Sequence, residues 1–172
     1  MRAGRAELPE MVQRYCAAAI IVLALSMASP ALAEMRIDLN AIKVIESSNN
    51  PLAYNAKTRC YGLYQISEIC LKEYNERHKS AYKPKHLFNP LLNKMIAAWY
   101  FKRIEQMLIF YKIPVTIPTV LACYNWGIGN VARWHENGAQ FKNLPKMTQI
   151  YIGKYKQLSA VTYSCEKTFL SP

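Results

Sequence analysis

Apolar residues recur at helical spacing along most of the chain after residue 38. The first such segment follows Asp38, a residue type that caps helix N-termini, and its pattern places Glu46 in or just beyond the last turn. The apolar face of this predicted helix comprises Leu39, Ile42 and Ile45.

Two further helices follow from capping signals. Ser67 is the predicted N-cap of a helix over residues 69–76, and Asn89 followed by Pro90 starts a long helix that ends near residue 111. The periodicity predicts that the buried stripe of this long helix contains Leu92, Met95, Ile96, Trp99 and Ile104.

Three helices are predicted in the last third of the chain. Pro114 and Pro118 start one that carries residues 120–125 and stops at Trp126–Gly127, and Asn130 caps a short helix ending near residue 137. The last covers about residues 145–158. Its shared face comprises Met147, Tyr151, Tyr155 and Leu158.

Extended character is confined to residues 58–66, between the first two helices. The fold class is therefore predicted to be mainly α, in a single domain with one short extended segment.

The first 33 residues have the organisation of a signal peptide. A basic leader precedes an apolar run over residues 16–27, which is too short to span a bilayer, and Ala31-Leu32-Ala33 supplies a small-x-small cleavage pattern. We expect cleavage after Ala33, residues 34–172 as the mature domain, and a protein exported to the periplasm or cell envelope. A retained anchor or a buried helix remains the alternative. Lipid anchoring is less favoured because Cys16 precedes the apolar run.

The chain is basic, with 22 Lys and Arg against 11 Asp and Glu and a net charge of +11. Such a balance indicates a polyanionic partner or surface, although solubility alone is the simpler interpretation. An exported protein meets teichoic acids, anionic lipid headgroups and the carboxylates of wall peptides before it meets nucleic acid. We therefore expect no nucleic-acid partner.

Four cysteines follow the predicted cleavage site, and an even number in an oxidising compartment predicts at least one disulfide. Cys60 with Cys70 is the weakly preferred pairing, because the loop between them is short. Neither the cysteines nor the histidines have the spacing of a metal site, so we expect no metal or other cofactor. The four are Cys60, Cys70, Cys123 and Cys165.

Candidate chemistry begins at Glu46, although a glutamate at a helix end is usually solvated. Burial and a helix C-terminus both raise the pKa of a carboxyl group, which suits an acid catalyst at neutral pH. Gly62 permits close backbone approach, and Gln65 offers both a donor and an acceptor to a sugar. Tyr124 and Trp126 taken alone indicate core packing.

In their order along the chain these segments resemble the SLT-type lytic transglycosylase domain, which is related to goose-type lysozyme. The family pattern is Glu-Ser with Asn-Pro and Ala, then Gly-Leu-Met-Gln, Pro-x-x-Asn, and Ala-Tyr-Asn-x-Gly, and the resemblance covers roughly residues 39–155. Tyr64 departs from the family methionine and Cys123 from the family alanine. The matching segments are Glu46-Ser47, Asn50-Pro51 with Ala53, Gly62-Leu63-Tyr64-Gln65, Pro90 to Asn93, and Cys123-Tyr124-Asn125-Trp126-Gly127.

The resemblance implies a lysozyme-like fold in which Glu46 is catalytic and Tyr124 lies against it. Tyr151 matches a family tyrosine less securely, and the replacement at residue 64 implies an altered subsite. The implied substrate-binding residues are Ser47, Gly62, Tyr64, Gln65, Tyr124, Asn125 and Tyr151.

The implied activity is cleavage of the bond between N-acetylmuramic acid and N-acetylglucosamine in peptidoglycan, giving 1,6-anhydromuramoyl ends. Asp38 is the single aspartate of the chain, which fits a mechanism with one carboxyl group. The implied partners are peptidoglycan glycan strands and, as for other small exported members, secretion or conjugation machinery. Hydrolysis by the same Glu46 and a non-catalytic peptidoglycan-binding role are the alternatives.

Overall fold

The computed structural model describes residues 36–169, and their side chains up to residue 160. The chain divides after Glu34, and every described element belongs to the second unit, Met35–Pro172. The predicted signal peptide, residues 1–33, lies outside the described residues, as does the side chain of Cys165.

The described part is mainly helical, with six helices and one small sheet, which confirms the predicted class. The helices are α1 (Leu39–Ser47), α2 (Glu68–His78), α3 (Pro90–Phe110), α4 (Ile117–Trp126), α5 (Ile128–Glu136) and α6 (Lys146–Phe169). The strands are β1 (Tyr54–Asn55), β2 (Cys60–Tyr61) and β3 (Ile66–Ser67), and 3-10 turns cover Pro84–Phe88 and Phe141–Asn143.

Three predicted N-caps are confirmed by hydrogen bonds to the free amides of the first turn. The Asp38 carboxylate accepts from the amides of residues 40 and 41, at 2.8 and 3.3 Å. The Ser67 hydroxyl accepts from the amide of residue 70 at 3.2 Å, and Asn89 Oδ1 accepts from those of residues 91 and 92. These side chains fix where α1, α2 and α3 begin.

The predicted start of the fifth helix is wrong. Gly127, at φ 89°, occupies the cap, and α5 begins at Ile128, so Asn130 lies inside the helix. Its Nδ2 donates to the carbonyl of Trp126 at 2.7 Å and joins α5 to the end of α4.

Two predicted apolar faces are also partly wrong. Met95 is 45% exposed on α3 and Met147 is 71% exposed on α6. The buried face of α3 instead includes Asn93, Ala97, Phe101 and Leu108 with the predicted Ile96 and Ile104. α6 extends to Phe169, well beyond the predicted end. A polar asparagine on a buried face breaks the hydrophobic pattern on which the prediction rested.

The predicted extended segment forms part of an antiparallel sheet in the order β1-β2-β3. Tyr54 pairs with Tyr61 and Cys60 pairs with Ser67, so the chain turns back between β2 and β3 over residues 62–65. We call residues 62–65 the site turn. Strands of two residues are marginal alone, so the sheet depends on its contacts with the helices.

Asn93 of α3 anchors the site turn. Its side chain is fully buried; Oδ1 accepts from the amide of Tyr64 at 2.8 Å, and Nδ2 donates to the carbonyls of Tyr61 and Leu87, each at 2.9 Å. A Cβ added at Gly62, where φ is 75°, would lie 2.4 Å from the Leu87 carbonyl oxygen. Glycine is therefore required for this close approach.

The core surrounds α4, whose residues 119–123 are all buried. α4 packs against α3, α5 and α6, and α1 packs against α6. The C-terminal end of α1 is thereby held beside α6 and the site turn. None of the helices within residues 36–169 is both long enough and apolar enough to cross a bilayer.

The preferred disulfide is not formed, because Cys60 and Cys70 are free thiols, as is Cys123. The β2–β3 register places Cys60 opposite Ser67 rather than Cys70. The Cys60 thiol lies 3.6 Å from the Thr58 carbonyl, whereas Cys70 is buried in the core at 6% exposure. Closeness in sequence was therefore a poor guide to pairing.

Candidate active site

Glu46 lies in the last turn of α1, which ends where Ser48 adopts a left-handed conformation with φ 52°. The side chain is partly buried, and its Oε1 accepts a hydrogen bond of 2.7 Å from the hydroxyl of Tyr151 on α6. Tyr151 is itself only 6% exposed. The packing of α1 against α6 therefore positions the one carboxyl group of the site.

The environment of Glu46 favours the protonated form of its carboxyl group near neutral pH. Burial raises the pKa of the carboxyl from 4.5 to about 7, and the hydrogen bond from Tyr151 opposes part of that rise. A carboxyl group that titrates near pH 7 can both donate and accept a proton there, as acid–base catalysis requires.

Tyr151, which bonds to Glu46, and Tyr124 both remain protonated donors. Burial is the largest cause that holds the pKa of Tyr151 well above 10, followed by the negative charge of Glu46 and the hydrogen bond to it. The pKa of Tyr124 is likewise raised, first by burial and next by the charge of Glu46. Glu46 is thus the group of the three that can exchange protons at neutral pH.

Tyr124 connects α4 to the site turn. Its hydroxyl donates to the carbonyl of Tyr64 at 2.6 Å, and its ring stacks on Phe101 with centroids 4.5 Å apart. The negative charge of Glu46 also contributes to the raised pKa of Tyr124. The hydroxyl is nevertheless occupied by a main-chain carbonyl rather than directed at Glu46.

Ser47 connects the end of α1 to the same turn. Its hydroxyl lies within hydrogen-bonding distance of the carbonyls of Leu63, at 2.9 Å, and Lys43, at 3.1 Å, and accepts from the amide of Asn50 at 3.2 Å. Ser47 therefore has a structural role, because these bonds hold the site turn beside Glu46.

Gln65 presents an acceptor rather than a donor. Its Nε2 donates to the carbonyls of Ala53 and Gly62, at 3.3 and 3.0 Å, so both amide hydrogens are used. Among the described residues Oε1 has no donor. Gln65 can therefore accept a hydrogen bond from a sugar hydroxyl at this turn.

The structure does not place Tyr64 and Gly62 as direct side-chain contacts for a sugar. Tyr64 is 2% exposed, so its ring fills the core, and its amide and carbonyl are bonded to Asn93 and Tyr124. Gly62 is buried, and it permits the close approach of the site turn to the Leu87 carbonyl. The replacement of the family methionine by Tyr64 therefore changes core packing, not the exposed face of the cleft.

Asn125 is exposed at the end of α4. Its Oδ1 accepts from the hydroxyl of Thr148 on α6 at 2.9 Å, which orients the amide. Within the described residues its Nδ2 has no acceptor, so Asn125 offers a donor to a substrate.

The other acids that pair in the described region act elsewhere. Glu73 bonds to Arg103 at 2.7 Å and to Arg77 at 3.0 Å, and Glu68 bonds to the Tyr61 hydroxyl at 2.8 Å. In residues 36–160, no three His, Cys, Asp or Glu side chains are arranged to share a metal ion.

Three residues that support the site were not identified as such from the sequence. Asn93 anchors the site turn, Thr148 orients Asn125, and the Tyr155 hydroxyl accepts from the amide of Asp38 at 2.8 Å. The signal that could have indicated Asn93 is its place in the Pro-x-x-Asn motif. Thr148 and Tyr155 lie in α6, where the resemblance matched Tyr151 alone.

A protein-family model described as the transglycosylase SLT domain matches residues 33–145. The chain belongs to this family. Membership makes it, in general terms, a peptidoglycan lytic transglycosylase, and peptidoglycan is its implied substrate. The comparison with curated proteins found no match.

The SLT match includes α1, the sheet and α2 to α5, but it ends before α6. Tyr151, which donates to Glu46, therefore lies outside the matched segment. Its assignment to the site of this transglycosylase rests on the hydrogen bond and not on the family comparison.

Proposed function

We propose that this SLT protein cleaves the bond between N-acetylmuramic acid and N-acetylglucosamine with Glu46 as its one acid–base group. The observation that carries the proposal is the partly buried Glu46 carboxyl, whose pKa is about 7 and which is bonded to Tyr151. Such a group holds a proton for the leaving oxygen and can take one back in the next step.

In the first step, the Glu46 carboxyl donates its proton to the glycosidic oxygen as the bond from that oxygen to C1 of the muramoyl residue breaks. The acetamido oxygen of the same sugar stabilises the positive charge that develops at C1. The role of a second carboxylate, common in glycoside cleavage, is thereby transferred to the substrate. The engagement of Glu68 and Glu73 with other partners supports this assignment.

In the second step, the Glu46 carboxylate takes the proton of the muramoyl C6 hydroxyl, and that oxygen bonds to C1. The product is a 1,6-anhydro sugar, no water is consumed, and Glu46 regains its proton. Gln65 Oε1 and Asn125 Nδ2 are suited to orient the glycan, since neither has a partner among the described residues.

The experiment compares wild type with Glu46→Gln on purified peptidoglycan. Glutamine keeps the size of the side chain and an oxygen for the Tyr151 hydroxyl, but it carries no exchangeable acid proton. The expected loss of rate is at least about 100-fold, with substrate binding retained. Comparable cleavage by the variant would show that another group is the acid. Cleavage that yields reducing ends would indicate hydrolysis, and retention of glycan without cleavage by the wild type would indicate a binding protein.

We also propose that the protein is exported and acts in the periplasm or cell envelope, as the N-terminal pattern and the location of peptidoglycan suggest. Local opening of the wall for secretion or conjugation machinery is the role proposed for it there. Fractionation of cells, followed by detection of a mature chain starting near Glu34, tests the export. An intact chain in the cytoplasm would contradict it.

A further inference from the structure

A polar pocket lies beside Trp126, between α5 and the turn at residues 141–143. It has a volume of about 340 Å³, which lies at the small end of the range for ligand sites. Its lining combines two indoles, three amides and one guanidinium. The lining residues are Trp126, Asn130, Arg133, Trp134, Asn137 and Asn143.

Arg133 is the charged group of this pocket, and its guanidinium is exposed. One of its terminal nitrogens donates to Asn130 Oδ1, which fixes the side chain on α5. Among the described residues no carboxylate pairs with it. An oriented guanidinium without an anionic partner is suited to bind a carboxylate with two parallel hydrogen bonds.

Asn130 and Asn137 each use one of their two amide hydrogens inside the protein, so each keeps one for a ligand, whereas the single indole hydrogen of Trp134 is used. Asn130 Nδ2 donates to the carbonyl of Trp126, Asn137 Nδ2 to that of Arg133, and Trp134 Nε1 to that of Gln140. The side-chain amide of Asn143 has no partner among the described residues, so its donors are available to a ligand together with those of Arg133. The indoles supply apolar faces, and the pocket lining contains no acid.

We propose that this pocket binds a free carboxylate of the peptide stem of peptidoglycan. The inference rests on the proposed substrate, whose N-acetylated glycan chain carries its negative charge on the peptides rather than on the sugar rings. Arg133 therefore matches the peptide and not the glycan. Trp126 lines the pocket and directly follows Asn125 in the chain, so the pocket begins one residue from the amide proposed to orient the glycan. The pocket favours strands that retain their peptides.

The test uses Arg133→Ala, because Arg133 is exposed. Trp126 and Trp134 pack against the core, so replacing either of them would change folding as well as the pocket. Lys72→Ala is the matched control: it removes one positive charge from α2, outside the pocket, where Lys72 is 79% exposed. Both are made in a Glu46→Gln background so that no probe is cleaved.

The probes are the disaccharide of N-acetylglucosamine and N-acetylmuramic acid with its peptide, and the same disaccharide in which an uncharged amide replaces the peptide on the lactyl group. We expect the peptide-bearing probe to bind about fivefold more tightly to the Glu46→Gln protein, the scale of one charge-assisted contact open to solvent. Arg133→Ala should abolish that preference, and Lys72→Ala should keep it. A preference that persists in Arg133→Ala, or equal affinities for both probes in its parent, would overturn the proposal.

Cleavage assays separate this proposal from the assignment of Glu46. In the otherwise wild-type enzyme, Arg133→Ala should raise KM on peptide-bearing strands about fivefold. It should leave kcat and KM unchanged on strands that are stripped of peptide by an amidase and then amidated at the exposed lactyl carboxyl. An equal loss on both substrates would instead indicate a structural role and contradict a peptide site. The binding result stands even if a residue other than Glu46 proves to be the acid.

Discussion

Glu46→Gln is expected to stabilise the protein at pH 8 but not at pH 5. Burial raises the pKa of Glu46 in the folded state from 4.5 to about 7, so the folded protein holds this proton over a range in which the unfolded chain has released it. The free energy of unfolding of the wild type therefore falls as the pH rises through that window. Glutamine does not titrate, so the variant does not incur this loss.

The magnitude follows from the size of the shift. The difference between 4.5 and about 7 corresponds to roughly 3 kcal/mol at 1.36 kcal/mol per unit. This is an upper bound, since solvent reaches part of the side chain. Urea denaturation at the two pH values measures it, and Glu76→Gln is the control because that carboxylate is 64% exposed. A gain from Glu46→Gln that is the same at pH 5 and pH 8 would refute the reasoning about burial.

Two further predictions concern the groups around Glu46. Tyr151→Phe removes the hydrogen bond that lowers the pKa of Glu46, so the alkaline limb of the pH profile of kcat/KM should move up by about 0.5 to 1 unit. Tyr124→Phe is the control, because the Tyr124 hydroxyl bonds to a main-chain carbonyl and its loss should leave the alkaline limb in place. The same alkaline limb in wild type, Tyr151→Phe and Tyr124→Phe would contradict the role assigned to Tyr151. Gly62→Ala should lower the free energy of unfolding by about 3 kcal/mol, because the new Cβ meets the Leu87 carbonyl at a positive φ, and wild-type stability in urea would contradict that account.

Much of the helical framework could be predicted because it is encoded locally. Caps at Asp38, Ser67 and Asn89 are side-chain to backbone bonds within one turn, so they leave a direct mark in the sequence. The position of Glu46 at the end of α1 followed from the same pattern. The start of α5 could not be predicted this way, because Gly127 caps it through backbone conformation and Asn130 resembles a cap without acting as one.

Contacts between distant segments explain most of what the sequence did not reveal. The bond from Tyr151 to Glu46 joins residues 105 positions apart, and only the packing of α1 on α6 creates it. The burial of Tyr64 and the anchoring role of Asn93 likewise depend on how α3 meets the site turn. Motif order suggested which residues belong to the site, but not which of their atoms remain free for a ligand.

The account rests on Glu46 transferring a proton to and from the sugar without water, and the mass of the products tests this most directly. Peptidoglycan digested by the wild type is reduced with borohydride, and the muropeptides are weighed by mass spectrometry. We expect anhydromuramoyl ends that are lighter by one water than hydrolytic ends and are not reduced, with none above background from Glu46→Gln. Ends that accept borohydride, or anhydro ends formed by the variant at a comparable rate, would contradict the account.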